Sequence, residues 1–125
     1  MKKILIVEDE IPLLKALSER FIREGFSTLE AKNGLEGLSM AQQQHPDLIL
    51  LDIIMPGMDG MEMLEKLKLN PESKNIPVIL LTNIGDTSKI LTAIEAGAES
   101  YLIKANVKLE DVVKVVKEKL GANIA

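Results

Sequence analysis

Three short runs of consecutive apolar residues constrain the fold of this chain more than any other feature of its sequence. They occupy residues 4–7, 48–51 and 78–81, and a charged residue, proline or threonine flanks each end of each run. A segment in which every residue is apolar is typical of a strand buried on both faces of a parallel sheet. Two shorter or more polar segments, residues 26–31 and 100–103, are predicted to be edge strands of the same sheet.

Between the predicted strands, apolar residues recur at helical spacing. The positions that define five helices are Leu13, Leu14, Leu17 and Phe21; Leu35, Leu38 and Ala41; Met61, Leu64 and Leu67; Ile90, Leu91 and Ile94; and Leu109, Val112, Val113, Val116 and Leu120. Pro12 and Asn33 suit helix starts, whereas Gly25 and Gly97 suit helix ends. Alternating strands and helices with right-handed crossovers predict an α/β fold. The expected sheet is parallel and five-stranded, in the flavodoxin-like order 2-1-3-4-5, doubly wound with helices on both faces.

Length and composition favour one small globular domain spanning residues 1–125. Apolar residues make up 46% of the 125 residues, cysteine is absent and the formal net charge is −4. The apolar run near the N-terminus is too short for a signal peptide or membrane span, so we expect a cytoplasmic protein that does not enter the membrane. The acidic balance also argues against direct nucleic-acid binding by this domain.

Polar residues directly follow four of the predicted strands. They are Glu8 and Asp9 after the first strand, Asp52 after the third, Thr82 after the fourth and Lys104 after the fifth. In the predicted order the first and third strands are neighbours, so three carboxylates should converge. Clustered carboxylates repel one another unless a cation lies among them, and oxygen ligands of this kind suit Mg²⁺.

This arrangement predicts phosphoryl-transfer chemistry. A carboxylate beside Mg²⁺ can act as a nucleophile toward phosphorus, and Asp52 is the favoured acceptor because it ends a buried central strand. Catalysis of such a transfer consists largely of positioning and charge neutralisation. Mg²⁺ could take one phosphoryl oxygen, the Lys104 ammonium a second, and the Thr82 hydroxyl or nearby backbone N–H groups the third.

Several segments together resemble the response-regulator receiver family of two-component signalling, including its chemotaxis-regulator-like members. These segments are residues 4–10, the loop at residues 52–60 with its Asp-x-x-Met-Pro-x-Met-Asp-Gly pattern, Thr82, and residues 101–104. The resemblance implies that Glu8, Asp9, Asp52 and the backbone carbonyl of Ile54 bind Mg²⁺. It further implies that Asp52 is the phosphoacceptor and that Lys104 pairs with the phosphoryl group.

By the same resemblance, Thr82 and Tyr101 are a switch pair that changes the face built from the fourth helix, fifth strand and fifth helix. The phosphoryl donor would be a histidine kinase or histidine phosphotransfer protein, and the output an unidentified downstream target. A phosphorylation-dependent homodimer is possible, with Val115, predicted to lie off the buried stripe of the last helix, as a candidate contact. The domain would be a phosphoacceptor that assists its own phosphorylation and dephosphorylation, not an enzyme in the usual sense.

Two alternatives stay open at this point. One is a pseudo-receiver, an interaction module that keeps the fold without phosphotransfer. The other is a haloacid-dehalogenase-like phosphatase, although that family has a second aspartate where this chain has Ile54. Within the receiver family, proline is usual after Lys104, whereas this chain has Ala105, so we expect the loop that follows to differ from the family pattern. Ile54 and Ile84 would flank the path of a hydrolytic water, and two apolar side chains there predict slow loss of the phosphoryl group.

Overall fold

Ten helices and strands alternate along the chain in the computed structural model, which describes residues 1–82 and 87–121. They are β1 (Lys3–Val7), α1 (Ile11–Arg23), β2 (Ser27–Ala31), α2 (Gly34–Gln44), β3 (Leu48–Leu51), α3 (Gly60–Leu69), β4 (Val78–Thr82), α4 (Thr87–Glu95), β5 (Ser100–Ile103) and α5 (Leu109–Lys119). One turn of 3₁₀-helix, Lys104–Asn106, separates β5 from α5. Within the described ranges, no helix is long and apolar enough to cross a bilayer.

The five strands form one parallel sheet in the order β2-β1-β3-β4-β5, which confirms the order predicted from the sequence. The register aligns Val7 at the end of β1 with Leu51 at the end of β3. Leu51 is in turn aligned with Leu80 of β4. The residues that follow β1 and β3 therefore leave the sheet side by side, at its carboxyl edge.

Two apolar layers cover the sheet, because successive strand residues point to opposite faces. On one face Ile4, Ile6, Leu48, Leu50, Ile79 and Leu81 pack with side chains of α1 and α5. On the other face Leu5, Val7, Ile49, Leu51, Val78 and Leu80 pack with side chains of α2, α3 and α4. The three apolar runs are thus buried on both faces, as predicted.

Helix ends follow the local sequence closely. Asn33 caps α2 through a hydrogen bond that its side chain accepts from the Glu36 N–H, at 2.9 Å. At the start of α5, Lys108 offers no side-chain cap, and Asp111 Oδ2 instead accepts from the Lys108 N–H at 2.9 Å. The Lys104–Ala105 peptide is trans and belongs to the 3₁₀ turn.

The outward faces of the last two helices differ from the sequence-based expectation. In α4, Leu91 and Ile94 are exposed, and Ala93 packs against the sheet in their place. In α5, Val115 is half-buried and packs against the core, so the prediction that it lies off the buried stripe was wrong. A helix with a broad apolar stripe can rotate by one residue position and still bury a comparable area.

Gly60, the first residue of α3, permits the close approach that shapes the loop after Asp52. A Cβ at this position would overlap the Asp52 carbonyl oxygen and lie 2.6 Å from Ile53 Cα. The Gly60 N–H also donates to the Ile53 carbonyl at 2.7 Å. Since both overlapping atoms belong to the backbone, the loop itself would have to move to admit a side chain.

We therefore expect Gly60→Ala to lower the free energy of unfolding by about 1–3 kcal/mol, the usual cost of overpacking. Gly37→Ala is the matched control, because the nearest atoms to a Cβ there belong to the side chains of Val7 and Met63, at 2.8 and 2.9 Å, and not to the backbone. Urea denaturation of both variants measures the difference. Equal losses would show that the backbone contact at Gly60 does not limit the loop.

Candidate functional site

Three carboxylates meet at the carboxyl edge of the sheet. Glu8 and Asp9 follow β1, Asp52 follows β3, and one oxygen from each of the three lies within 4.8 Å of the others. Glu8 and Asp52 are buried, with relative exposures of 1% and 4%. The convergence of these acids, predicted from the strand order, is thus present in the structure.

Lys104 reaches this cluster from the turn after β5. Its Nζ lies 3.0 Å from Asp52 Oδ2, 2.7 Å from Glu8 Oε1 and 3.5 Å from an oxygen of Glu10. Because β4 lies between β3 and β5, the lysine side chain has to cross the end of β4 to reach Asp52. The long, flexible stem of lysine suits such a span.

Backbone groups orient the two buried carboxylates. Asp52 Oδ1 accepts from the Ile54 N–H at 3.2 Å, while Oδ2 accepts from Lys104. Glu8 Oε2 accepts from the Glu10 N–H at 3.0 Å. Glu8 Oε1 has a different environment, because no backbone N–H group is paired with it and its neighbour is the Lys104 ammonium at 2.7 Å.

Burial is the main influence on the protonation of the acids. Desolvation raises the pKa of Glu8 to about 7, although Lys104 and the Glu10 N–H oppose the shift. Desolvation likewise raises the pKa of Asp52, with Lys104 opposing it and the Asp9 charge adding to it. For Lys104, burial favours the neutral amine, but contacts with Glu8 and Asp52 outweigh it and raise the pKa. The ammonium therefore stays charged.

The residues present fit a hard divalent cation. Three carboxylates with one ammonium among them leave negative charge in excess. Mg²⁺ in proteins is usually bound by one or two carboxylates and keeps several waters, which leaves room for a phosphate oxygen. Glu8, Asp9 and Asp52 have the correct chemistry and proximity. That the Ile54 carbonyl also contributes stays a prediction.

The remaining candidate residues lie around this cluster. Thr82, the last residue of β4, is buried with 3% exposure, whereas Tyr101 in β5 is 45% exposed. Ile54 is also half exposed, beside the acceptor. Ile84, its predicted partner in flanking the water path, lies outside the described residues. Thr82 therefore lies at the carboxyl edge of the sheet, on the strand between β3 and β5, while Tyr101 belongs to the edge strand β5.

Sequence reasoning missed the contact between Glu10 and Lys104. The only signal for it is that three acidic residues in succession follow β1, of which the first two were assigned to the metal. Which way the third side chain turns depends on the start of α1 and on the turn after β5, and neither is evident from spacing.

The model of the response regulator receiver domain matches residues 4–117. The chain belongs to the response-regulator receiver family. This assignment confirms the resemblance inferred from the sequence and decides against the haloacid-dehalogenase-like alternative. Receiver domains are phosphoacceptor switches of two-component systems and not classical enzymes.

Known proteins similar to this chain include both short and long relatives. Sporulation initiation phosphotransferase F of Bacillus subtilis is 42% identical over 103 residues, which are 82% of each chain. The probable transcriptional regulator ycf29 of Pyropia yezoensis is 44% identical over 102 residues, 82% of this chain but 46% of the relative. The probable transcriptional regulator ycf27 of Cyanophora paradoxa is 38% identical, with 42% of its length matched. This chain thus spans less than half the length of the two transcriptional regulators.

Solved structures show the same fold. A CheY-like response regulator receiver domain protein from Methanospirillum hungatei has a TM-score of 0.89 at 33% identity, over 97% of this chain and 94% of that one. The chemotaxis protein CheY4 of Vibrio cholerae has a TM-score of 0.88 at 28% identity, over 94% of this chain and 98% of that one. The flavodoxin-like, CheY-like architecture predicted from the sequence is therefore confirmed.

The buried ion pairs predict a specific dependence of stability on Lys104. We expect Lys104→Met to lower the free energy of unfolding of the metal-free protein by about 1–3 kcal/mol, because two buried carboxylates lose their counter-charge. The figure lies below the usual cost of breaking a buried ion pair, since the raised pKa of Glu8 allows it to be partly protonated at neutral pH.

Lys119→Met is the control for this prediction, because Lys119 pairs with Glu99 at 3.0 Å with both side chains more than a third exposed. That variant should change stability by less than about 0.5 kcal/mol. Urea denaturation in a chelating buffer at pH 7 compares the two. If the Lys104 variant is as stable as the control, the ammonium does not offset the buried charge.

Proposed function

We propose that this domain is a switch in which Asp52 accepts a phosphoryl group, with Mg²⁺ bound, from a histidine kinase or histidine phosphotransfer protein. The observation that carries the proposal is the buried Asp52 carboxylate, held by the Lys104 ammonium at 3.0 Å within a cluster of further acids. The whole of residues 1–125 would form this one domain. Because kinases draw their phosphoryl groups from ATP, the domain would work in the cytoplasm.

In the proposed reaction, a carboxylate oxygen of Asp52 attacks the phosphorus of a donor phosphohistidine. The new bond joins this oxygen to phosphorus, while the bond between phosphorus and the donor nitrogen breaks and its electron pair stays on the imidazole. The Ile54 N–H and Lys104 hold the two carboxylate oxygens in known positions before the attack. The charge on the transferred group is then neutralised by Lys104, with the Thr82 hydroxyl close by as a donor.

Glu8, Asp9, Asp52 and the carbonyl of Ile54 would hold Mg²⁺. When bound, the ion supplies positive charge that offsets the carboxylates and the phosphoryl oxygens. For this chain, the consequence is that Asp52 could keep its nucleophilic, deprotonated form despite the burial that raises its pKa.

In this proposal, Thr82 and Tyr101 transmit the phosphorylation of Asp52 to the face built from α4, β5 and α5. Thr82 would turn its hydroxyl toward the phosphoryl group, and Tyr101, now 45% exposed, could then turn inward. The face that this movement would alter carries the exposed Leu91 and Ile94 of α4. A downstream target or a second copy of the chain would bind there in one state and not in the other.

Acceptor identity is the direct test of this proposal. We expect the parent protein to form an acyl phosphate with acetyl phosphate and Mg²⁺, and Asp52→Asn to form none, because an amide is a far weaker nucleophile than a carboxylate. Asp59→Asn is the matched control in the same loop, since asparagine can still cap α3 as Asp59 does. Intact-protein mass spectrometry measures the gain of mass on phosphorylation.

Each result of this experiment has a defined meaning. Labelling of the parent and of Asp59→Asn, with none in folded Asp52→Asn, supports the switch. Labelling that persists in Asp52→Asn shows a different acceptor. A folded parent that takes up no phosphoryl group from acetyl phosphate or from a kinase supports the pseudo-receiver alternative.

The metal assignment generates a second test. Asp9→Asn should lower the affinity for Mg²⁺ by about tenfold or more through loss of a charged ligand. The same change should raise the melting temperature without metal, because Asp9 adds to the repulsion on Asp52. Mg²⁺ titrations followed by NMR, with thermal melts of the metal-free proteins, check both effects. Unchanged affinity, relative to Asp59→Asn, would remove Asp9 from the ligand set.

A further inference from the structure

We propose that Glu10 is a positioning residue that competes with the incoming phosphoryl group for Lys104 and thereby slows phosphorylation of Asp52. The proposal rests on the function proposed above and adds to it a residue that sets the rate. It starts from the third ion pair of Lys104, in which Nζ lies 3.5 Å from Glu10 Oε1.

Glu10 differs in exposure from the other carboxylates that contact Lys104. Its side chain is 56% exposed, whereas those of Glu8 and Asp52 are 1% and 5% exposed. Glu8 and Asp52 also accept hydrogen bonds from backbone N–H groups, which fix their positions. Glu10 is therefore the partner at the rim of the site, and it can leave Lys104 without leaving a buried charge behind.

The local structure at the start of α1 fixes the backbone of Glu10 and leaves its carboxylate available to pair with Lys104. Glu10 occupies the N-cap position, yet its side chain makes no capping hydrogen bond. Its backbone is held at both polar groups, because its N–H donates to Glu8 Oε2 and its carbonyl accepts from the Leu14 N–H at 2.9 Å. The backbone is thus fixed while the carboxylate is available to Lys104.

Glu10 and the incoming phosphoryl group compete for the Lys104 ammonium because both are negatively charged. A phosphoryl group arriving at Asp52 brings negatively charged oxygens that need the same ammonium. While Glu10 pairs with Nζ, its carboxylate partly neutralises the Lys104 ammonium, which is then less able to stabilise the oxygens of an incoming phosphoryl group. After the pair separates, the carboxylate still repels an anionic donor at short range. Both effects act in the same direction and oppose the transfer.

The effect should be modest, because an exposed carboxylate is screened by water and salt. We expect Glu10→Gln to raise the second-order rate constant for phosphorylation by acetyl phosphate by about two- to fivefold. Phosphoramidate carries less net negative charge than acetyl phosphate at neutral pH, so the gain with it should be smaller. Raising the salt concentration from about 0.05 M to about 0.5 M should reduce both gains, because the Debye length shortens.

Glu19→Gln is the matched control. Glu19 is exposed on α1, two turns beyond Glu10, and its substitution changes the net charge equally without touching the acidic cluster. Its rate constant should equal that of the parent with both donors. A readout that needs neither metal nor phosphoryl transfer is the NMR signal of the Lys104 side chain, which should shift in metal-free Glu10→Gln and not in Glu19→Gln.

The outcomes separate this inference from the function on which it rests. If the parent protein takes up no label, or Asp52→Asn still does, the proposed function fails. If the parent is labelled at Asp52 but Glu10→Gln reacts no faster than Glu19→Gln, only the role of Glu10 is overturned. A gain that is equal for both donors and insensitive to salt would also overturn it, because a structural change and not charge would then be the cause.

Discussion

Two carboxylates buried at the ends of central strands need a cation, and the Lys104 ammonium provides it. Glu8 and Asp52 are too buried for water to solvate their charges well. Burial accordingly raises the pKa of both carboxyls, while the same carboxylates raise the pKa of Lys104. The three groups stabilise one another's charges, so the turn after β5 is tied to β1 and β3 by electrostatics as well as by packing.

This interaction depends on the sheet order. Asp52 and Lys104 are 52 residues apart in sequence, and they meet because β4 alone separates the strands that precede them. Thr82 ends that intervening strand, which brings it to the same edge of the sheet as Asp52 and Lys104. The loop after Asp52 is held equally tightly, since Gly60 packs against its backbone. A doubly wound parallel sheet places all these residues at one edge, which is where such folds bind ligands.

The sequence predicted the sheet, its order and the convergence of the acids, because fully apolar runs identify buried strands and parallel strands end at the same edge. It did not predict which residues of the later helices face outward. The burial of Ala93 in place of Leu91 shows why, since a small residue that fits closely against the sheet is not distinguished by hydrophobicity. The contact of Glu10 with Lys104 was missed for a different reason, because it depends on a side-chain conformation and on the 3₁₀ turn, not on periodicity.

The charge of the cluster is neutralised incompletely, which would make the site responsive to a cation. One ammonium among several carboxylates leaves negative charge in excess, although Glu8 Oε1 is ion-paired with Lys104 at 2.7 Å. A site neutralised fully by the protein would gain little electrostatically from a bound cation. A ligand can shift an equilibrium between two conformations only by as much as it favours one of them over the other. The excess negative charge lowers the stability of the free domain, and it would favour a state in which the proposed Mg²⁺ is bound.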